Sequence, residues 1–170
     1  MKKMVLLLVI LSANICIAQS DIYDVCRRGR LSEIMALYRK NPDCINKTTK
    51  EGYTPLILAC YYGNEEAVRF LIDKVDDVNV TSDYGTPLMA ATVKGNENIV
   101  KMLLDKNADT SIADANGTTA LHYAVMLRHY DIIELLIEAN ANVDLKDKRN
   151  QSAMDYALRY DDKKLTSLLR

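Results

Sequence analysis

The side chains that could carry out nucleophilic or metal chemistry are few in this sequence. It has four cysteines and two histidines, and one of the cysteines, Cys16, lies in an apolar N-terminal segment. The other residues of these two types are Cys26, Cys44, Cys60, His122 and His129. Neither histidine has a second histidine or a cysteine at the spacing of a zinc motif, and the sequence contains no G-x-S-x-G turn or phosphate-binding glycine loop. It therefore predicts no enzyme, no metal site and no cofactor.

The first twenty residues, MKKMVLLLVILSANICIAQS, have the layout of a secretory signal peptide. Lys2 and Lys3 precede an uncharged apolar run, and small, mildly polar residues follow it as far as Ala18. The run is shorter than the roughly 20 residues that span a bilayer, which disfavours a membrane anchor. We expect residues 1–18 to be cleaved and the mature chain to be periplasmic or secreted. The Met-Lys-Lys start and the Ala-Gln junction favour a bacterial source.

Two other interpretations of this segment remain open. The apolar residues could form a core helix, and a lipoprotein would carry its lipid on Cys16. The residues before Cys16 are Ala13, Asn14 and Ile15, whereas a lipid-bearing cysteine is expected to follow a leucine-like residue and small ones. Cleavage after Ala18 is therefore the preferred interpretation.

The composition indicates one soluble globular domain and gives no sign of a nucleic-acid binder. The chain of 170 residues is 49% hydrophobic and 26% charged, with a formal net charge of -1. Removal of residues 1–18 takes away two lysines and no acid, so the mature chain has a net charge of about -3.

A short motif recurs at a spacing of 32 or 33 residues. Its copies are Thr54-Pro55-Leu56, Thr86-Pro87-Leu88, Thr119-Ala120-Leu121 and Ser152-Ala153-Met154. The first hydroxyl can accept a hydrogen bond from a free N–H at a helix start, and proline at the next position has a fixed φ and no N–H. Each motif thus predicts a short helix. Gly63 and Gly95 are expected to end two of these helices in the left-handed conformation, and Gly29 is expected to do the same for a first helix that begins near Ile22. A second apolar segment follows each.

Helices of about eight to ten residues are marginal alone, so each helical pair must bury its apolar face against the next pair. Leu56, Ala59 and Cys60 lie on one helical face at i, i+3 and i+4. Cys26 and Cys60 occupy equivalent positions of adjacent repeats, too far apart for a disulfide, and both are expected to be small core residues. Cys44, beside a loop, is the candidate for a free or bridging thiol.

These features resemble the ankyrin repeat, whose consensus runs G-x-T-P-L-H-x-A-A, a glycine, a second helix and G-A-D-V-N. The matching segments are Gly52-Tyr53-Thr54-Pro55-Leu56, Gly117 with Leu121-His122-Tyr123-Ala124, and Asn140-Ala141-Asn142-Val143-Asp144. The resemblance covers residues 21–170 and implies that the mature domain, 19–170, is an all-α solenoid of about five stacked helix-turn-helix repeats with short hairpin-like loops. The repeats are expected at about 21–51, 52–83, 84–116, 117–149 and 150–170.

The sequence departs from the ankyrin pattern at two turns. Tyr84 stands where the turn glycine is expected, Gly85 follows it and the loop is one residue short, which predicts an altered hairpin tip. Arg128 replaces the glycine between the helices of the fourth repeat, at a cost of about 1 kcal/mol in the left-handed conformation. The resemblance implies that His122 forms a hydrogen bond at a helix start, whereas His129 is expected on the surface.

The resemblance also implies that partners touch the hairpin tips and the two exposed residues that end each first helix. Carried over by register, the candidate partner-binding residues are Tyr53, Tyr61, Tyr62, Met126, Leu127, Arg27, Arg28, Lys94, Arg159 and Tyr160. Tyrosine, methionine and arginine are enriched at interface centres. We expect an apolar and aromatic groove with arginines at both ends that guide an acidic segment of the partner. Alternatively, Tyr61 and Tyr62 merely cover the neighbouring hairpin.

The expected function is that of a non-catalytic protein–protein interaction module that binds another exported protein on its concave face. The alternative is a regulatory or chaperone-like accessory subunit of a specific exported enzyme, and the sequence does not separate the two. We expect a monomer with a protein partner, and neither a nucleic-acid nor a membrane partner.

Overall fold

In the computed structural model the described residues, 21–83 and 85–170, form ten α-helices and one 3₁₀ turn without a β-strand. The first helices of the five pairs are α1 (Ile22–Arg28), α3 (Pro55–Tyr62), α5 (Pro87–Val93), α7 (Ala120–Leu127) and α9 (Ala153–Arg159). The second helices are α2 (Leu31–Lys40), α4 (Glu65–Leu71), α6 (Glu97–Leu104), α8 (Tyr130–Glu138) and α10 (Lys163–Leu168). The 3₁₀ turn, Pro42–Asn46, follows α2. The predicted signal peptide, residues 1–18, and Tyr84 lie outside the described residues.

The predicted helix starts are confirmed. The hydroxyl oxygens of Thr54 and Thr86 accept hydrogen bonds from the backbone N–H three residues later, at 3.2 and 3.3 Å. Thr119 and Ser152 cap α7 and α9 in the same way, and there the side chain of the third helical residue also bonds back to the capping residue. For α7 that residue is His122, whose Nδ1 accepts the N–H of Thr119 at 3.2 Å, as the resemblance implied.

The ten helices form two rows, and the core lies between them. Each first helix packs against the first helix of the next pair, and the second helices pack in the same order. Leu56, Leu88 and Leu121 of the first row are at most 2% exposed, and the second row contributes Leu103 and Leu136, which are fully buried. The all-α stack of five helical pairs is therefore confirmed. Its apolar faces are covered because the pairs lie against one another.

The turns between paired helices follow the prediction with one exception. Gly63 and Gly95 have φ of 73° and 71°, in the left-handed region, and Arg128 takes the same conformation with φ of 58°. The prediction for Gly29 was wrong, because its φ is -80° and its ψ 166°. This extended backbone lets the carbonyl oxygen of Gly29 accept a hydrogen bond from Asn64 Nδ2 of the next pair, at 3.2 Å.

Side-chain amides link successive pairs. Asn64 and Asn96, the capping residues of α4 and α6, donate to the carbonyl oxygens of Cys26 and Cys60 in the preceding first helices, at 3.3 and 3.1 Å. His129 occupies the corresponding place before α8; it was expected on the surface but is half-buried. These hydrogen bonds hold neighbouring first helices at a fixed spacing.

The hairpin loops are tight, and the one before α5 differs from the two that follow it. Isolated bridges pair Ala113 with Thr119 and Lys146 with Ser152, whereas the α5 hairpin pairs Ser82 with Gly85. Gly85 has φ of 101°, a value that favours glycine. The described residues of this hairpin therefore differ from the later hairpins as expected. No helix within the described residues is long and apolar enough to span a membrane.

Candidate functional site

The inner face is the surface formed by the C-terminal ends of the first helices together with the hairpins that precede them. Among the described residues it carries three exposed large apolar side chains, Tyr61, Tyr62 and Leu127. Their exposed fractions are 41, 52 and 46% respectively. Side chains of this size are expensive to leave in water, so their concentration on one face indicates a binding surface.

Tyr61 and Tyr62 at the end of α3 form an aromatic pair between two cations. Their ring centroids are 5.2 Å apart, with an angle of 75° between the ring planes. The ammonium of Lys94 lies 4.7 Å from the ring centre of Tyr61, and the guanidinium carbon of Arg27 lies 5.8 Å from that of Tyr62. Cation–π contacts of this kind hold the rings in place and contribute about 0.5–1 kcal/mol each at exposed sites. The four side chains form a continuous row across α1, α3 and α5, which we call the tyrosine row.

A cavity of about 520 Å³ opens beside the tyrosine row. The residues that line it are Arg27, Tyr53, Ile57, Leu58, Tyr61, Tyr62, Ser82, Thr86, Met89, Ala90, Val93 and Tyr123. Arg27 is the only charged residue among them. The cavity is thus an apolar and aromatic groove with a single cation at its wall, and its volume lies in the range of ligand pockets.

The groove exists because of a small residue in α5. The fourth residue after the capping residue is Tyr123 in α7 and Tyr156 in α9, but it is Ala90 in α5. In α7 and α9 the tyrosine side chain fills the space between its helix and the hairpin in front of it. Alanine lacks the ring, so the corresponding space behind the α5 hairpin stays open.

The tyrosines of α7 and α9 also fasten their hairpins. The hydroxyl of Tyr123 donates to Asp114 Oδ2 and that of Tyr156 to Asp147 Oδ2, both at 2.6 Å. Each carboxylate accepts two backbone N–H groups of its own hairpin as well, at 2.7–2.9 Å. Because a charged acceptor strengthens a hydrogen bond, these two hairpins are tied firmly to their helices. In the α5 hairpin the corresponding residue is Ser82.

The hydrogen bonds of Asp114 and Asp147 change their acidity. Burial alone would raise the pKa of each carboxyl, but the tyrosine hydroxyl and the backbone N–H groups favour the charged form and hold the pKa below its ordinary value. Conversely, burial and then the hydrogen bond to Asp114 raise the pKa of Tyr123 to about 12. At neutral pH both carboxylates are therefore ionised and both tyrosines act as donors.

The guanidinium of Arg27 is only partly engaged by other described residues. Its Nη1 lies 3.5 Å from Asp24 Oδ1 on the exposed side of α1. Its Nε is buried and has no hydrogen-bond partner among the described residues. A buried donor without a partner costs about 1–3 kcal/mol. Arg28 is more exposed, and its Nη2 lies 3.9 Å from the same carboxylate.

The structure groups only some of the predicted binding residues around the groove. Tyr53, Tyr61, Tyr62 and Arg27 line it, and Lys94 lies against Tyr61. The other predicted positions do not line it: Arg28, Met126, Leu127, Arg159 and Tyr160. Arg159 lies over the ring of Tyr156, and Arg128 lies over the ring of Tyr160, at 5.3 and 5.0 Å.

Sequence reasoning missed two features of the surface. Met89 and Ala90 shape the groove, and the signal for it was present in the alanine that stands in register with Tyr123. Leu158 was missed because its equivalents in earlier repeats, such as Cys60, are covered by the next pair. No pair follows α9 in the described residues, so Leu158 stays exposed.

Within residues 21–83 and 85–170 there is no group of three or more histidine, cysteine or acidic side chains that could hold a metal ion. Cys26 and Cys60 are fully buried, as expected for small core residues, and Cys44 is half-buried; all three are free thiols. Burial raises the pKa of Cys26 to about 12 and that of Cys60 further, so both stay protonated and unreactive at neutral pH.

Comparison with known proteins assigns the chain to a family. A family model described as ankyrin repeats (3 copies) matches residues 22–114 and 106–170. A segment of 53 residues is 36% identical to the human DNA-binding protein RFXANK, and it covers 31% of this chain but only 20% of that protein. Ankyrin repeats generally mediate protein–protein interaction and are typically non-catalytic modules. The helical pairs, their capped starts and the match over residues 22–170 together show that the chain belongs to the ankyrin-repeat family.

Proposed function

We propose that this chain is a non-catalytic module that binds another protein on its inner face, with the tyrosine row and the adjoining groove at the centre of contact. The observation that carries the proposal is the pair Tyr61 and Tyr62, which lie 41 and 52% exposed beside a cavity of about 520 Å³. Family membership supports a protein partner, because ankyrin repeats generally bind proteins.

The physical properties of the row suit a protein interface. Tyrosine buries a large area while it keeps a hydroxyl that can form hydrogen bonds, and its side chain has little conformational entropy to lose. Lys94 and Arg27 already restrain the two rings in the free chain. Binding therefore needs little reordering of these residues, which favours affinity. The exposed fractions of Tyr61 and Tyr62, 41 and 52%, support a role beyond covering the neighbouring hairpin.

We further propose that the partner is an exported protein. The support is the N-terminal sequence, in which two lysines, an apolar run and small residues up to Ala18 form a signal-peptide pattern. Fractionation of the native cells tests this directly. A mature chain that begins after Ala18 in the periplasm or medium supports export, and an intact chain that stays with the cytoplasm contradicts it.

A nucleic-acid partner is not proposed, although the human relative is named a DNA-binding protein. The similarity covers only 53 residues, and the mature chain has a net charge of about -3. Nucleic-acid binding draws most of its affinity from clustered lysines and arginines that neutralise phosphates.

Capture of the partner tests the proposed function. The purified wild-type chain and a Tyr61→Ala, Tyr62→Ala variant are used as baits with the periplasmic or extracellular fraction of the native organism. Loss of two central aromatic side chains should cost about 2 kcal/mol or more of binding free energy, roughly a 30-fold loss of affinity, while the variant stays folded and loses only the roughly 1–2 kcal/mol of its two cation–π contacts.

Substitutions on the second row of helices provide matched controls. Arg69→Ala on α4 and Lys101→Ala on α6 remove exposed side chains away from the inner face and should bind as the wild type does. Equal affinity of the tyrosine variant and the wild type for the captured protein would contradict the proposed function. If the captured protein is an enzyme whose turnover or folding changes on binding, the chain acts as its accessory subunit.

A further inference from the structure

The space beside Ala90 has the position and surroundings of an aromatic side chain. In α7 and α9 the equivalent positions hold Tyr123 and Tyr156, whose rings lie between the helix and its hairpin. In α5 the same position holds alanine, and the cavity of about 520 Å³ opens there. The volume exceeds that of one ring, so the groove has room for a side chain together with some of its flanking backbone.

The walls of the groove favour an aromatic occupant. Met89 and Val93 of α5 offer a thioether and a branched aliphatic side chain, and both line the cavity. Tyr61 and Tyr62 add ring faces and edges on the α3 side. Sulfur and aromatic groups attract an aromatic ring beyond the gain from burying its area, through edge and offset contacts.

The charge at the groove favours a carboxylate next to that aromatic side chain. Among the described residues that line the cavity, Arg27 is the only charged one. A carboxylate placed at its guanidinium would form a charge-assisted hydrogen bond with it. The ammonium of Lys94 lies on the far side of the tyrosine pair and extends the positive potential along the row.

We propose that the groove binds an extended segment of a protein partner that inserts one aromatic side chain beside Ala90 and places an aspartate or glutamate against Arg27. The inserted ring takes the place that Tyr123 and Tyr156 fill in their own repeats, so the partner completes a position that α5 leaves empty. This inference rests on the proposed function and specifies the chemistry of the segment that the inner face recognises.

The test selects peptides from a displayed library of random sequences on the purified wild-type chain. Binders are then counter-selected on Ala90→Tyr, which fills the space with the residue that α7 and α9 carry. Enriched sequences should contain phenylalanine, tyrosine or tryptophan with an acidic residue nearby. Enrichment of sequences without an aromatic residue, or with basic residues instead of acidic ones, would overturn the inference, as would the absence of any enrichment.

Binding of a selected peptide by titration calorimetry then separates the two contacts. Replacement of its aromatic residue by alanine should weaken binding roughly 30-fold, because a buried aromatic side chain is worth about 2 kcal/mol or more. Replacement of its acidic residue by the corresponding amide should weaken binding to the wild type several-fold but change binding to Arg27→Gln little. Equal losses on both proteins would show that the carboxylate does not meet Arg27.

Ala90→Tyr should weaken the same peptide at least tenfold, whereas Ala90→Ser, which leaves the space open, should bind within twofold of the wild type. Both variants are checked by thermal unfolding, and Ala90→Ser keeps the comparison valid if the larger residue disturbs α5. Unchanged affinity of a folded Ala90→Tyr variant would overturn the inference. Concentration-dependent dimers of the wild type that Ala90→Tyr abolishes would also overturn it, because the occupant would then be a second copy.

The failure of this inference can be told apart from failure of the proposed function. If the natural partner binds Ala90→Tyr normally but loses affinity for the Tyr61→Ala, Tyr62→Ala variant, the inner face binds protein without using the space beside Ala90. If neither variant affects capture, the proposed function itself fails.

Discussion

The hairpins before α5 and α9 belong to the same stack but are held in different ways. Behind the α9 hairpin, the buried Tyr156 donates to Asp147, whose carboxylate also accepts two backbone N–H groups of the loop. Behind the α5 hairpin stand Ala90 and Ser82, and a cavity takes the place of the ring. The helix starts are nevertheless alike, since Thr86 and Ser152 cap their helices with the same hydrogen bond.

This difference separates the positions that hold the stack together from a position that shapes the inner face. The capping hydroxyls and the buried leucines recur in successive pairs and hold the stack together. The position four residues after the cap varies between pairs: it holds a tyrosine that closes the inner face in α7 and α9 and an alanine that leaves it open in α5. On the proposed function, the middle pairs present the groove to the partner, whereas the hairpins of the C-terminal pairs are tied to their helices.

The two regions should differ most in the stability lost when the equivalent hairpin residues, Asp147 and Ser82, are replaced by alanine. Asp147→Ala leaves the buried hydroxyl of Tyr156 and two loop N–H groups without their acceptor, and it should lower the free energy of unfolding by about 3 kcal/mol. Ser82→Ala, its counterpart in the open region, should lower it by less than about 1 kcal/mol. Chemical denaturation measures both values, and similar losses would contradict the contrast.

A smaller effect is expected in the pH dependence of stability. The pKa values of Asp114 and Asp147 are lowered in the folded chain, so their contribution is fully present above the unfolded value of about 4 and is lost as the pH falls through the folded values. The melting temperature of Asp114→Asn, Asp147→Asn should therefore fall less steeply than that of the wild type below about pH 4. Parallel curves would show that the two carboxylates are not selectively stabilised by folding.

The smallest expected effects concern the turns between paired helices. Gly63→Ala puts a side chain in the left-handed region and within 3.3 Å of Asn96, and it should lower the free energy of unfolding by about 1 kcal/mol. Arg128→Gly relieves the same strain in the fourth pair but loses the contact of Arg128 with Tyr160, so it should raise stability by less than about 1 kcal/mol. Thermal unfolding of the two variants checks the signs, and a clear loss for Arg128→Gly would contradict this interpretation.

The features of the fold that depend on neighbouring residues in the sequence could be predicted. Thr54, Thr86, Thr119 and Ser152 cap their helices because the hydroxyl needs only the N–H three residues later. Gly29 was predicted incorrectly, because its extended conformation depends on a hydrogen bond from Asn64 in another pair. Helix starts can therefore be predicted from the local sequence, whereas turns that form hydrogen bonds with another repeat cannot.

The candidate site was only partly predictable for the same reason. The exposure of Tyr61 and Tyr62 could be expected from register alone, since they end the helix beyond its buried face. The groove arises from what is missing at Ala90, and its shape depends on residues from α1, α3, α5 and α7 together. The roles of Met126, Leu127, Arg159 and Tyr160 in binding stay predictions; they lie on the more closed C-terminal part of the inner face.

A nuclear magnetic resonance titration of the ¹⁵N-labelled chain with the selected acidic, aromatic peptide tests the central claim most directly. We expect the largest changes in chemical shift at the backbone amides of Tyr61, Tyr62 and Ala90, with those of Tyr156 and Leu158 nearly unchanged. The largest changes at Leu127 and Leu158, with Ala90 unaffected, would contradict the claim that the open middle of the inner face is where this protein recognises its partner.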